Sequence, residues 1–386
     1  MAYQSNNLYH VISPSPERVA FQQQFKFPVR AREADWEQSP ENRRIITEVL
    51  HTEMREHPFD LTFFEIAPAA YWKKGFSEQI GEVFCEGYNG VAIAKLNAIV
   101  VNPSGIKNDT LHHEVKHIKT FQVLKDHPEF KGRWEALCKD DHGNSRLQFT
   151  NMAHWSCSRI KGLSQLVDEK PTPEQEECRR QGFVSRYAAT NFFEDVAELC
   201  AEAELTPFTF EDAFDGGKRS SKVLIDKLCL AEEYRLVPAG YRDYLVLGQA
   251  VIGCWTGDMY GSNLDDREKC EKYLEKSADF LKKYPNSRFA GKILWHRASI
   301  LVARKDKNYY LCDTDIFAPA KSIVAVREAL AELKTIECLP ERDGWREANL
   351  YQQLGNGYRK LGDEKKAEEY YKKHTALVFP PGFRGR

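Results

Sequence analysis

The spacing of apolar positions changes character several times along the chain. Residues 1–38 mix aromatic and polar positions without a sustained period and are broken by Pro14, Pro16 and Pro28, which predicts an irregular N-terminal arm packed on the neighbouring domain. At Ser39-Pro40 a cap residue and a first-turn proline open a helical stripe of Ile45, Ile46, Val49 and Leu50. Leu61 to Ile66 is then a continuous β-rich run, and Gly90–Ala94 and Ala98–Val101 predict two strands joined through Lys95-Leu96-Asn97. A small mixed sheet is therefore expected ahead of the next helix. That helix is predicted over 110–121, where Leu111, Val115 and Ile118 supply one apolar face and Asn108-Asp109-Thr110 a start signal. A further helical run extends from Asn191 to Glu204.

Beyond Asp215-Gly216-Gly217-Lys218-Arg219-Ser220-Ser221 nearly every periodic segment is helical, so this shift is read as a domain boundary. The chain divides into an arm (1–38), an α+β domain (39–215) and an all-α helical-hairpin domain (216–386). In the last of these, Tyr241–Cys254 is expected to pair with Arg267–Ser287, and Phe289–Ala303 with Pro319–Ile336. From Tyr351 to Pro380, the residues Tyr351, Leu354, Gly355, Tyr358, Ala367, Tyr371 and Pro380 alternate large and small. The segment resembles a tetratricopeptide repeat, with His374 where that pattern prefers a small residue. Two readings of this half stand side by side: a rigid solenoid without a partner, or a concave surface, with Trp255, Tyr309 and Tyr310, that grips a peptide or protein partner.

Composition narrows the classes. With 42% apolar and 12% aromatic residues, 386 residues can build two or three sizeable cores. A formal charge of -2 without a basic block indicates no nucleic-acid partner, and no apolar run has the length of a membrane span. The start of the chain lacks a charged n-region and an apolar h-region, so as written it reads as cytosolic, or as secreted or periplasmic if a signal peptide has been removed. Ten cysteines, scattered without C-x-x-C spacing and with Cys200, Cys229 and Cys254 in apolar helical runs, predict buried free thiols rather than a disulfide framework.

The chemistry concentrates in His113-Glu114-Val115-Lys116-His117. On a helix the two histidines stand one turn apart on the same side, where both imidazoles can hold a tetrahedral Zn²⁺, and Glu114 beside them is the candidate general base. In a chain with 11 histidines this motif can arise by chance. The weight comes from Glu194-Asp195-Val196-Ala197-Glu198, because zinc needs a third protein ligand with a fourth position left open. Glu194 is the candidate ligand, and Glu198, one turn on, the candidate acceptor for the N–H of a ligating histidine. His112 is expected to be a bystander or substrate-side neighbour. His127, His142, His154, Cys138, Cys157 and Cys178 match no structural zinc spacing and read as surface or core residues.

The paired H-E-x-x-H and E-x-x-x-E helices resemble the gluzincin class of zinc metallopeptidases. Over residues 60–205, with Phe183-Val184-Ser185-Arg186-Tyr187-Ala188 ahead of Glu194, the chain is similar to anthrax lethal-factor-like catalytic domains. The resemblance implies a zincin-like α+β fold and a peptide or protein substrate that pairs with an edge strand. It implies His113, His117 and Glu194 as zinc ligands, Glu114 as base, Tyr187 as oxyanion stabiliser and Glu198 behind a histidine. The gap between His117 and Glu194 is longer than such folds usually carry, which leaves residues 122–180 unassigned. The competing reading is a helical-repeat binding scaffold whose metallopeptidase-like domain holds zinc without turnover. Hydrolysis of a non-peptide amide is a third.

Overall fold

The computed structural model describes residues 14–67, 89–140, 142–147, 178, 180–185, 187–205, 221–254, 267–285, 287–303, 316–317, 320, 322–339 and 344–378. The chain forms two compact units, Met1–Pro238 and Ala239–Arg386.

The first unit combines helices with a small mixed sheet. It opens with α1 (Pro16–Phe25), β1 (Val29–Ala31), α2 (Glu33–Trp36) and α3 (Pro40–Glu56). The stretch expected to be an irregular arm is thus folded over 16–36. Ser15 caps α1 by accepting the Arg18 N–H, and Phe21, Phe25, Phe27, Val29 and Trp36 are buried in the common core. These residues are spread over α1, the bend at Phe27, β1 and α2, so no single element displays them as a sustained period.

The sheet continues with β2 (Phe63–Ile66), β3 (Gly90–Ile93) and β4 (Ala98–Val101). Its order is β1-β2-β4-β3, with β1, β2 and β4 parallel and β3 antiparallel to β4. Every residue of β2 and β4 is buried, as befits interior strands, and this is why β4 runs apolar without alternation and β2 is apolar but for the buried Glu65. The register sets Phe64 beside Ile99 and Ile66 beside Val101, and all four belong to the core that receives Leu111, Val115 and Ile118. Among the described residues β3 has no strand on its outer side.

Next come α4 (Asn108–Asp126), α5 (Glu129–Leu137), α6 (Phe192–Leu205) and α7 (Lys222–Glu233). The boundary expected at residue 215 falls short of the division at Pro238, because α7 packs on α5 and α6. Its Lys227 is fully buried against Asp195, at 2.6 Å.

The second unit consists, among the described residues, of three helical hairpins. They are α8 (Tyr241–Cys254) with α9 (Arg267–Lys283), α10 (Ala290–Ala303) with α11 (Ile323–Glu337), and α12 (Gly344–Lys360) with α13 (Glu364–Val378). Leu294, Ala298, Val326, Leu330, Leu333, Leu354 and Tyr370 lie in one continuous core. In the last hairpin a Cβ on Gly355 would stand 2.6 Å from the Tyr371 ring, so the helices touch there only because that side chain is absent. Trp255, Tyr309, Tyr310 and Pro380 lie outside the described residues, as do His154 and Cys157. No described helix is long and apolar enough to cross a membrane.

Candidate metal centre

Three different faces of α4 are buried. Leu111, Val115 and Ile118 pack into the sheet core, and His113 and His117 project toward α6. His112, Lys116 and Lys119 enter a buried ion cluster instead. The start of α6 is fixed by Asn191, whose Oδ1 accepts the N–H groups of Phe193 and Glu194 at 2.9 and 3.1 Å. This cap places Glu194 in the first turn, against the two histidines.

The three side chains meet through three atoms. His113 Nε2 lies 3.0 Å from His117 Nε2, and Glu194 Oε2 lies 3.1 Å from the first and 3.3 Å from the second. Zinc bonds of about 2.0–2.1 Å in a tetrahedron set ligand atoms about 3.3 Å apart, so the triangle has the size that a zinc ion needs, with a slight expansion. Two acceptors and a carboxylate facing one another are otherwise unfavourable. Glu194 Oε2 and His117 Nδ1 are buried without a hydrogen-bond partner. Among the described residues, these three form the group of His, Cys, Asp or Glu side chains able to hold a metal.

Electrostatics tells the same story. Burial alone would depress His113, but the carboxylates of Glu194 and Glu198 outweigh it and hold the imidazole well above the usual histidine range. Burial alone would raise Glu194; the two histidines overcome it and hold that carboxyl far below its usual range. Without a metal, a proton on His113 supplies the missing positive charge. Glu198 Oε1 lies 2.9 Å from His113 Nδ1, within ion-pair reach though off the line of a hydrogen bond. Its other oxygen, Oε2, accepts the Ser185 hydroxyl at 3.0 Å.

Compared with family models, with curated proteins and with solved structures, the chain matches none. The functional reading therefore rests on the residues themselves.

Glu114 is buried beside the histidines, and that burial raises its carboxyl above the usual range, with Glu194 adding and the imidazoles opposing. It packs on the edge strand: a Cβ on Gly90 would stand 2.8 Å from Glu114 Cγ and 3.0 Å from Oε1. Glycine at this point lets the strand backbone approach the carboxylate, and the Ala92 N–H donates to it. Tyr187 stands with its ring 6.0 Å from that of His113. It does not share a helix with Glu194, because a 3-10 turn (Ala188–Thr190) and the extended Asn191 separate them. The turn, not a continuous helix, brings the tyrosine to the site. Phe121 stacks on His117 at 6.2 Å and Phe193 tilts against Phe121 at 5.4 Å, forming an aromatic wall beside the ligands.

His112 is not on the substrate side. It is buried on a third face of α4, about 100° round from the ligands, its Nδ1 2.7 Å from Glu53 Oε1. Lys116 there donates to Glu53, to Glu204 and to the Leu236 carbonyl at 2.9, 2.9 and 3.0 Å. Lys119 donates to the Glu53 carboxylate and carbonyl at 2.5 and 2.9 Å. Behind Glu194, Asp195 Oδ2 accepts Trp134 Nε1 and Lys227 at 2.7 and 2.6 Å, and Lys227 also donates to the Gly182 carbonyl. These anchors are hardly marked in the sequence. The only signal was that His112, Lys116 and Lys119 form a stripe at helical spacing, which looks like a solvated face. His127 and His142 are at the surface, and Cys138 is a buried free thiol that burial pushes up to about 12.

Proposed function

We propose that this chain is a zinc-dependent peptidase of gluzincin type, built on a zincin-like α+β domain and followed by tetratricopeptide-like hairpins. The observation that carries the reading is the convergence of His113 Nε2, His117 Nε2 and Glu194 Oε2 at zinc-ligand separations, with a buried carboxylate, Glu114, beside them. These three residues would hold the metal; when bound, zinc supplies Lewis acidity that makes water a nucleophile at neutral pH and polarises a carbonyl.

The protein's own groups do the rest. Glu114 removes the proton of the attacking water and returns it to the departing amine. Its burial suits that task, since a carboxyl raised toward neutrality accepts a proton more readily than an exposed one. Tyr187 donates its hydroxyl to the developing oxyanion. Glu198, with one oxygen 2.9 Å from the far nitrogen of His113, attracts a proton to that nitrogen and so leaves Nε2 as the ligand atom. The outer edge of β3 offers backbone groups to an extended peptide, and the Phe121–Phe193 wall gives that peptide an apolar neighbour. Three protein ligands rather than four, among the described residues, favour a turnover site over a closed structural one.

The test is Glu114→Gln. The amide keeps the shape but cannot take up a proton, so zinc content should be unchanged while peptide turnover falls by about 10²–10⁴-fold. Undiminished turnover would remove Glu114 from the mechanism.

A further inference from the structure

Behind the ligands stands a hydroxyl with two fixed bonds. Ser185 Oγ accepts the Ala188 N–H at 2.9 Å and donates its only proton to Glu198 Oε2 at 3.0 Å. Ser185 is buried, and Ala188 opens the 3-10 turn that follows Tyr187, so the backbone fixes where the hydroxyl sits. The carboxylate that it reaches has one oxygen on this hydroxyl and the other 2.9 Å from His113 Nδ1.

A glutamate side chain has three rotatable bonds, and Glu198 is partly open to solvent. Contact with an imidazole nitrogen at one oxygen leaves the carboxylate free to swing about that contact. The second oxygen, held by a hydroxyl anchored on a backbone amide, removes that freedom.

We propose that Ser185 is a positioning residue for the metal centre: it orients Glu198 and, through Glu198, sets the ring of His113. This rests on His113, His117 and Glu194 being the zinc ligands. The plain alternative is that Ser185 serves only as the cap of the turn at Ala188, a task that small hydroxyl residues perform throughout proteins. The two roles differ in what they couple to. A cap acts on the fold whatever occupies position 198; a positioning residue acts on the metal only while Glu198 is there.

A double-mutant cycle read by zinc binding separates them. Zinc affinity would be measured by competition with a chromogenic chelator on the full chain, for wild type, Ser185→Ala, Glu198→Ala and the double variant, with melting temperatures of the zinc-free proteins as a fold control. Ser185→Ala should weaken zinc by about tenfold, at the low end of the effect of removing an outer partner of a ligand. In the Glu198→Ala background the same substitution should cost almost nothing, and Ser185→Thr, which restores the hydroxyl, should recover most of the affinity. If Ser185→Ala does not fold, Ser185→Cys keeps the volume while weakening both bonds and takes its place in the cycle. Equal losses with and without Glu198, or unchanged affinity in Ser185→Ala, would overturn the proposal while leaving the ligand set intact. A wild-type chain that takes up no zinc would overturn the ligand reading, and this proposal with it.

Discussion

Helices α4 and α6 each carry buried charge on two sides, and the two sides are built differently. On the back, Lys116 and Lys119 face Glu53 and Glu204, with donors and acceptors matched one to another. Lys227 likewise fills the pocket beside Asp195, although Asp195 Oδ1 is left without a hydrogen-bond partner. On the front, His113, His117 and Glu194 turn three atoms of metal-ligand type toward a single point, and the charge that faces the carboxylates there is a titratable proton on an imidazole instead of a lysine. The back is the more deeply buried, its Lys116, Glu53 and Glu204 side chains at 1–2% exposure against 9–12% for His113, His117 and Glu194, and it is also the side on which opposite charges are paired. Charges that neutralise one another hold a fold together, whereas acceptors converging on a point define a place for a metal.

The comparison makes opposite demands on mutation. Lys116→Met should damage the fold, because it removes the buried cation that Glu53 shares with Glu204; the loss expected for breaking such a pair is about 3–5 kcal/mol, read by denaturant unfolding. His117→Ala should instead leave zinc-free stability close to that of the wild type. Similar destabilisation by both would erase the distinction between the two sides.

A finer test lies at Tyr187. Removing the hydroxyl with Tyr187→Phe keeps the ring beside His113, so zinc content and melting temperature should hold. Turnover should fall by about 10²-fold, the scale of losing one oxyanion donor. Normal turnover would make the tyrosine part of the packing only.

How far the sequence foretells this arrangement depends on distance along the chain. His113, Glu114 and His117 owe their relation to the pitch of one helix, and Glu194 and Glu198 to that of another, so local spacing is enough to foresee which of them share a helix side. The β-rich runs that became β2, β3 and β4 were legible for the same reason. Tyr187 was placed near the ligands by resemblance, but its route there is a 3-10 turn ended by an extended Asn191, which the notion of one continuous helix would miss. Contacts across many residues left no local mark. Nothing around Glu53 announces that it will meet Lys116, and nothing at Gly90 shows that Glu114 will press against its backbone. Lys116 and Lys119 even point the wrong way, since lysines are rarely buried unless paired, and the partners are remote.

Whether the front of these helices takes a cation is read most simply by titrating the purified, chelator-treated chain with zinc. One zinc per chain should bind, and His117→Ala should abolish that binding with the fold retained. The zinc must also displace the proton that the carboxylates hold on His113. Because that proton persists above the usual histidine range, affinity should rise with pH through neutrality by about tenfold per unit, and level off once His113 is deprotonated. No zinc uptake, or uptake indifferent to the loss of His117, would mean that His113, His117 and Glu194 are not a metal site.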